Sequence, residues 1–104
     1  MAINVLIRDR FARITLSDRL EFAMHRDFKA AYAPLLEHTD ISEIEIEMAK
    51  VNHLDSAAMG MMMILNERVK DAGKSISLVN VSDYVDQVFI ISNFDKIFNF
   101  KNVP

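Results

Sequence analysis

Cysteine is absent, so neither a disulfide framework nor a thiolate metal site is open to this chain. Only two glycines and two prolines occur, which leaves no flexible linker and no glycine-rich loop to cradle a phosphate. No stretch approaches the ~20 consecutive apolar residues of a membrane-spanning helix, and direct membrane insertion is not expected. The N-terminus, Met1-Ala2-Ile3-Asn4-Val5-Leu6-Ile7-Arg8, has no cationic segment and an apolar run too short for an export signal. With no cysteine either, the cytoplasm is the expected location. Positive charge is in deficit: 12 Lys+Arg against 15 Asp+Glu leave a formal charge of −3, a poor basis for gripping nucleic acid. What is present, 51% apolar and 26% charged residues over 104 positions, suits one globular domain spanning 1–104.

The patterning predicts the element order ββαβαβαβ. Ile3, Val5 and Ile7 alternate with polar or outward positions, Phe11 to Leu16 alternate again, and Asp9-Arg10 between them suggests a tight hairpin. Met24, Phe28, Tyr32 and Leu35 recur at helical spacing, with Ser17 or Asp18 as a start signal and Pro34 as a point of weakening. Ile44, Ile46 and Met48 alternate with Glu43, Glu45 and Glu47, which predicts a strand with one buried face and three acids on a wet one. Asn52 to Asp55 reads as a loop, followed by a long apolar helix from about Ser56 to Ala72 that Gly73 closes. A strand from Ile76 to Val81, a short helix capped by Ser82-Asp83 and a last strand from Lys96 to Phe100 complete the reading. Strands and helices alternate from Ile44 onward, which favours parallel pairing with right-handed crossovers: an α/β fold with a mixed sheet and packed helices.

The helix opening at Ser56 is unusually apolar. On a wheel, Ala58, Met59, Met61, Met62, Met63, Leu65, Val69 and Ala72 fill an arc of roughly 200°, wider than an ordinary core stripe, while Ile64 falls among charged neighbours. Two readings stand: a deeply buried helix with methionines filling gaps, or an exposed docking edge formed by Met61, Met63 or Ile64. Its N-terminus, Asp55-Ser56, also has two readings. A helix start carries unpaired N–H groups and partial positive charge, so a side chain here caps the helix, or the Ser56 hydroxyl carries a phosphate that those N–H groups accept.

The run Leu54-Asp55-Ser56-Ala57-Ala58-Met59-Gly60-Met61-Met62 resembles the Asp-Ser-Ser-Gly-Leu-Gly segment of STAS domains, the family of bacterial anti-sigma factor antagonists. Gly73 lies where that family ends its helix. Ser82-Asp83-Tyr84-Val85 resembles its Ser-Pro-x-Val helix start, and Ser92-Asn93-Phe94-Asp95-Lys96-Ile97-Phe98 its Ser-Gly-Leu-x-x-Ile-x ending. Arg19-Leu20-Glu21-Phe22 is loosely similar to its Gly-x-Leu-Asp lead into the first helix. The resemblance implies a non-enzymatic switch. The unphosphorylated protein binds an anti-sigma factor, often a serine kinase of the histidine-kinase-like ATPase fold. Phosphorylation at Ser56 abolishes binding, and a metal-dependent serine phosphatase restores it. Ala57 stands where the family has a second hydroxyl, so Ser56 is the sole candidate within the motif. The partner surface expected from this reading comprises Asp55, Ser56, Met59, Met61, Met63 and Ile64.

Other constellations are weak. His25, His38 and His53 do not form a ligand set by spacing, so no metal and no cofactor is expected. Two alternatives accompany the switch. Some STAS domains are constitutive subunits of larger complexes such as bacterial lipid transporters, in which case Ser56 is only a cap and Met61, Met63 and Ile64 are permanent interface. An Asp-Ser pair opening a helix also resembles the phosphopantetheine site of all-helical acyl carrier proteins, which the Ile44 strand argues against.

Overall fold

The computed structural model describes residues 3–103; Met1, Ala2 and Pro104 of the expected 1–104 domain lie outside the described residues. A two-residue turn, with Asp9 in the left-handed region at φ 56°, folds β1 (Ile3–Arg8) back onto β2 (Phe11–Leu20). A 3-10 turn at Phe22–Met24 leads into α1 (His25–Glu37). Then follow β3 (Glu43–Leu54), α2 (Ser56–Asp71), β4 (Ser75–Val79), α3 (Asp83–Ile91) and β5 (Asn99–Lys101). The order is the expected ββαβαβαβ. The sheet runs β1-β2-β3-β4-β5, with β1 antiparallel to β2 and every later pair parallel. A five-stranded sheet removes the all-helical carrier reading.

Each parallel step moves one strand in the same direction through one helix. A common right-handed crossover therefore sets α1, α2 and α3 on one face of the sheet. Ala12, Ile14 and Leu16 of β2, Ile44, Ile46 and Met48 of β3, and Ile76 and Leu78 of β4 form the buried helix-facing rows. Their alternates carry the polar set, but not as the wet acidic row expected from the sequence. Glu45 is only 5% exposed, because the Arg13 guanidinium on the neighbouring strand donates to its Oε1 at 3.0 Å and Lys101 Nζ lies 3.7 Å from its other oxygen. Registration Arg13↔Glu45 across a parallel pair covers the acid and neutralises it.

Two boundaries also differ from expectation, for one shared reason. Ser17 and Asp18 do not start a helix; they sit in β2, where irregular register and Asp18 at φ 68° mark a bulge. Past that bulge β2 keeps pairing with β3 to Leu20↔Leu54, so Asn52, His53 and Leu54 are strand rather than loop. Partners 33 or 34 residues away decide this, and local signals do not reach that far. α1 ends three residues after Pro34, which lies on the exposed side. β4 stops at Val79, where Asn80 turns at φ 56°. The last strand starts later than expected, because Phe94 and Phe98 are buried in an aromatic cluster in which the Phe94 ring stacks on Phe89 at 5.7 Å. Gly73 and Asn93, both with φ positive, end the two helical segments as their residue types allow.

Candidate functional site

The extended β2–β3 pairing brings the chain out of the core at two adjacent points, Leu20 and Leu54, both buried. The residue after Leu54 ties them together. The Asp55 N–H donates to the Leu20 carbonyl at 3.4 Å, Asp55 Oδ1 accepts from the Ala58 N–H at 2.8 Å, and Oδ2 accepts from the Phe22 N–H at 3.2 Å. These donors, the Ala58 N–H foremost, hold the Asp55 carboxyl below its ordinary value, since they favour the ionised form. One carboxylate thus caps α2 and tethers the turn that precedes α1.

The cap is therefore Asp55. Ser56 is the first residue inside α2, exposed, and its hydroxyl has no hydrogen-bond partner among the described residues. Asp55 uses the Ala58 N–H through its side chain and the Met59 N–H through its carbonyl at 3.4 Å. The N–H groups of Ser56 and Ala57 remain as first-turn donors at the positive end of the helix. Chemically this is a reachable hydroxyl beside an anion-accepting helix tip.

The rest of the surface follows from helical spacing. Ser56, Gly60, Met63, Ile64 and Glu67 share the exposed side of α2, and a Cβ placed on Gly60 would meet nothing within 4 Å. Met63 and Ile64 are exposed and Met59 is half-buried, but Met61 is a correction: it is 7% exposed. Met61 turns toward α1, where it lines the crevice between the helices with Phe28, Tyr32 and Ile64, so it packs rather than docks. Asn66, outside the apolar set of the wheel, is buried. α2 divides between its two sides: Met61 and Met62 fill the core, while Met63 and Ile64 face outward.

Phe22 was not singled out from the sequence as a surface residue, and it is the largest apolar group at the site. It is 67% exposed, with its ring stacked on His25 at 5.9 Å. Its place depends on the Asp55 bond to its N–H, a contact across 33 residues. His25 borders the same crevice as Ile64, with Lys29 and Arg68 at its rim. The candidate site thus gathers exposed Phe22 beside His25, Ile64 and Met63 on the same side of α2 as Ser56, and the cations Lys29 and Arg68 along the crevice. Of the other histidines, His38 caps the end of α1 and accepts from the Asp40 N–H at 3.3 Å, while His53 pairs with Arg19 in the sheet and lies close enough to Asp55 to help lower its carboxyl pKa. Among the described residues no three His, Asp or Glu side chains gather as a metal site, and no helix is long and apolar enough to cross a membrane.

Similarity to known proteins agrees with this fold. A STAS-domain containing protein of Pseudomonas aeruginosa is 32% identical over 87 residues, 82% of either chain. Among solved structures, the anti-sigma factor antagonist SpoIIAA in its unphosphorylated form superposes with a TM-score of 0.82 at 16% identity, covering 99% of this chain and 89% of its own. SpoIIAA has also been solved in a phosphorylated form, which superposes at 0.76 with 14% identity and coverage of 99% and 92%. A sulfate transporter family protein from Wolinella succinogenes superposes at 0.78 with 14% identity, covering 92% of this chain and 80% of its own. At these identities the structural matches show a shared fold. The family described as "Mlab, STAS domain" matches residues 3–100, and to that family of STAS domains this chain belongs.

Proposed function

We propose that this chain is a cytoplasmic, non-enzymatic regulator of the anti-sigma factor antagonist type, switched by phosphorylation of Ser56. In its unphosphorylated form the surface of Phe22, Asp55, Ser56, Met59, Met63 and Ile64 binds an anti-sigma factor, or a serine kinase of the histidine-kinase-like ATPase fold. A metal-dependent serine phosphatase reverses the modification. The observation that carries this reading is the Ser56 hydroxyl, exposed and unbonded because Asp55 performs the capping that would otherwise occupy it. A phosphate on that oxygen adds about −1.5 to −2 charge, and the Ser56 and Ala57 N–H groups donate to it without rearranging the helix. The same charge, desolvated against a partner, costs several kcal/mol and stops docking.

The test is incubation with ATP and the cognate serine kinase, followed by mass spectrometry. One added phosphate is expected on the wild type and none on Ser56→Ala. Phosphate on Ser75, Ser77 or Ser82 instead would refute the assignment. A second reading, a constitutive subunit of a transport complex, draws support from the likeness to the sulfate transporter family protein. It requires that Ser56→Asp bind the partner as tightly as wild type does.

A further inference from the structure

The sheet has two edges of different character. β5 is three residues long and ends in Lys101, the short charged edge that resists strand addition. β1 is six residues long, regular in its pairing with β2, and free of proline and lysine. Its central residues Val5, Leu6 and Ile7 are 42%, 52% and 48% exposed. Arg8↔Phe11 closes the two-residue hairpin as a hydrogen-bonded pair, so Asn4, Leu6 and Arg8 direct their backbone toward β2. Ile3, Val5 and Ile7 direct theirs outward, with their side chains on the helix face.

We propose that β1 pairs antiparallel with β1 of a second copy about a two-fold axis at Val5, joining two five-stranded sheets into one. The strand is complementary to itself in that register. Val5 meets its own counterpart, Ile3 faces Ile7, and Asn4 faces Leu6, so apolar side chains line the seam on the helix face. Arg8 lies about 20 Å from its symmetry mate, six residues along at ~3.4 Å each, so no like charges meet. That self-match favours a second copy over a foreign peptide.

The helix layer enlarges the contact. A two-fold axis perpendicular to the sheet keeps both helix layers on one side, and α1 packs over both β1 and β2. With strands ~4.8 Å apart, the two α1 axes come about 9–10 Å from each other, the spacing of packed helices. The α1 residues beside β1 include Ala30 and Ala31, small enough for that approach, which line a concavity there with Ile3, Val5 and Asp27. Strand pairing alone falls short of the ~1,200 Å² of a stable interface, and the α1 contact raises the buried area toward it. The axis reverses strand direction, so the two Ser56 tips lie at opposite ends of the dimer and both stay open. This dimer does not depend on the phosphorylation switch.

Sedimentation equilibrium of the full chain tests it. At about 100 μM the wild type is expected to show a species of twice 11.9 kDa, and Val5→Glu to weaken association at least ~10-fold by setting two carboxylates opposite each other. Mixing Val5→Glu with Val5→Lys is expected to restore a heterodimer. The chain has no cysteine, so a mixture of Asn4→Cys and Leu6→Cys chains gives a second readout that leaves Val5 intact. Those positions form a non-hydrogen-bonded pair with Cα atoms about 4.5 Å apart, within disulfide reach, and oxidation is expected to link the two variants to each other. A wild type that stays monomeric at about 500 μM, or a dimer whose cysteine variants do not cross-link, would overturn the proposal.

Discussion

Helices α2 and α3 each follow a parallel strand and each open with one aspartate and one serine, in opposite order: Asp55-Ser56 and Ser82-Asp83. In α3 the serine is the cap. Its hydroxyl accepts from the Val85 N–H at 3.4 Å and donates to the Val51 carbonyl at 3.2 Å, so both of its roles are filled by the protein. In α2 the aspartate is the cap, and the hydroxyl of the serine one residue later has no partner among the described residues. Transposing two residues separates a structural hydroxyl from a chemically available one. The caps also differ in charge: α2 carries a carboxylate at its tip and α3 a neutral hydroxyl, while in both helices the cap takes the third N–H and leaves the first two.

The largest expected effect lies on the functional side of this contrast. Ser56→Asp should weaken partner binding by about 2–5 kcal/mol, read by calorimetric titration, with Tm nearly unchanged because a carboxylate suits the first helical turn. Equal affinity would place Ser56 with Ser82 as a structural residue. Next, Asp55→Ala removes the cap of α2 and the tether to Phe22 together, and should lower Tm more than Ser82→Ala does. pH probes the same group. Its folded-state pKa lies below the ordinary 3.8, so its contribution is complete above that value and is lost as pH falls through the folded-state one. The stability gap between wild type and Asp55→Asn, followed by thermal melts, should therefore narrow below about pH 4.

Smaller effects sharpen the comparison. Ser82→Ala should destabilise by about 1 kcal/mol in urea unfolding, the worth of an N-cap. Ser56→Ala should stay within about 0.5 kcal/mol of wild type, because its hydroxyl makes no bond to lose. A loss at Ser56 equal to that at Ser82 would show that both serines cap.

Much of the fold was legible because the signals are local. Asp9-Arg10 marked the hairpin, Gly73 marked the end of the long helix, and the alternation of Ile44, Ile46 and Met48 marked a strand. The position of the candidate site was also marked in the sequence, since Asp55-Ser56 directly precedes an apolar helix. Its composition was less so. Phe22 stands there because β2 pairs with β3 as far as Leu54 and Asp55, far along the chain, binds its N–H. Met61 belonged to the candidate surface on a helical wheel, yet the wheel has no knowledge of where α1 lies, and α1 covers it. Glu45 looked solvated until Arg13 and Lys101, on two other strands, closed around it.

Residue order alone established the succession of elements, the turn points and the presence of a hydroxyl at a helix start, since each follows from backbone preference and periodicity within a few positions. Which of Asp55 and Ser56 caps, how far β2 and β3 run together past the bulge, and which methionines face outward were settled by tertiary packing. Those outcomes depend on partners some thirty residues away, and a hydrogen bond or a covering helix across that distance has no local signature in the chain.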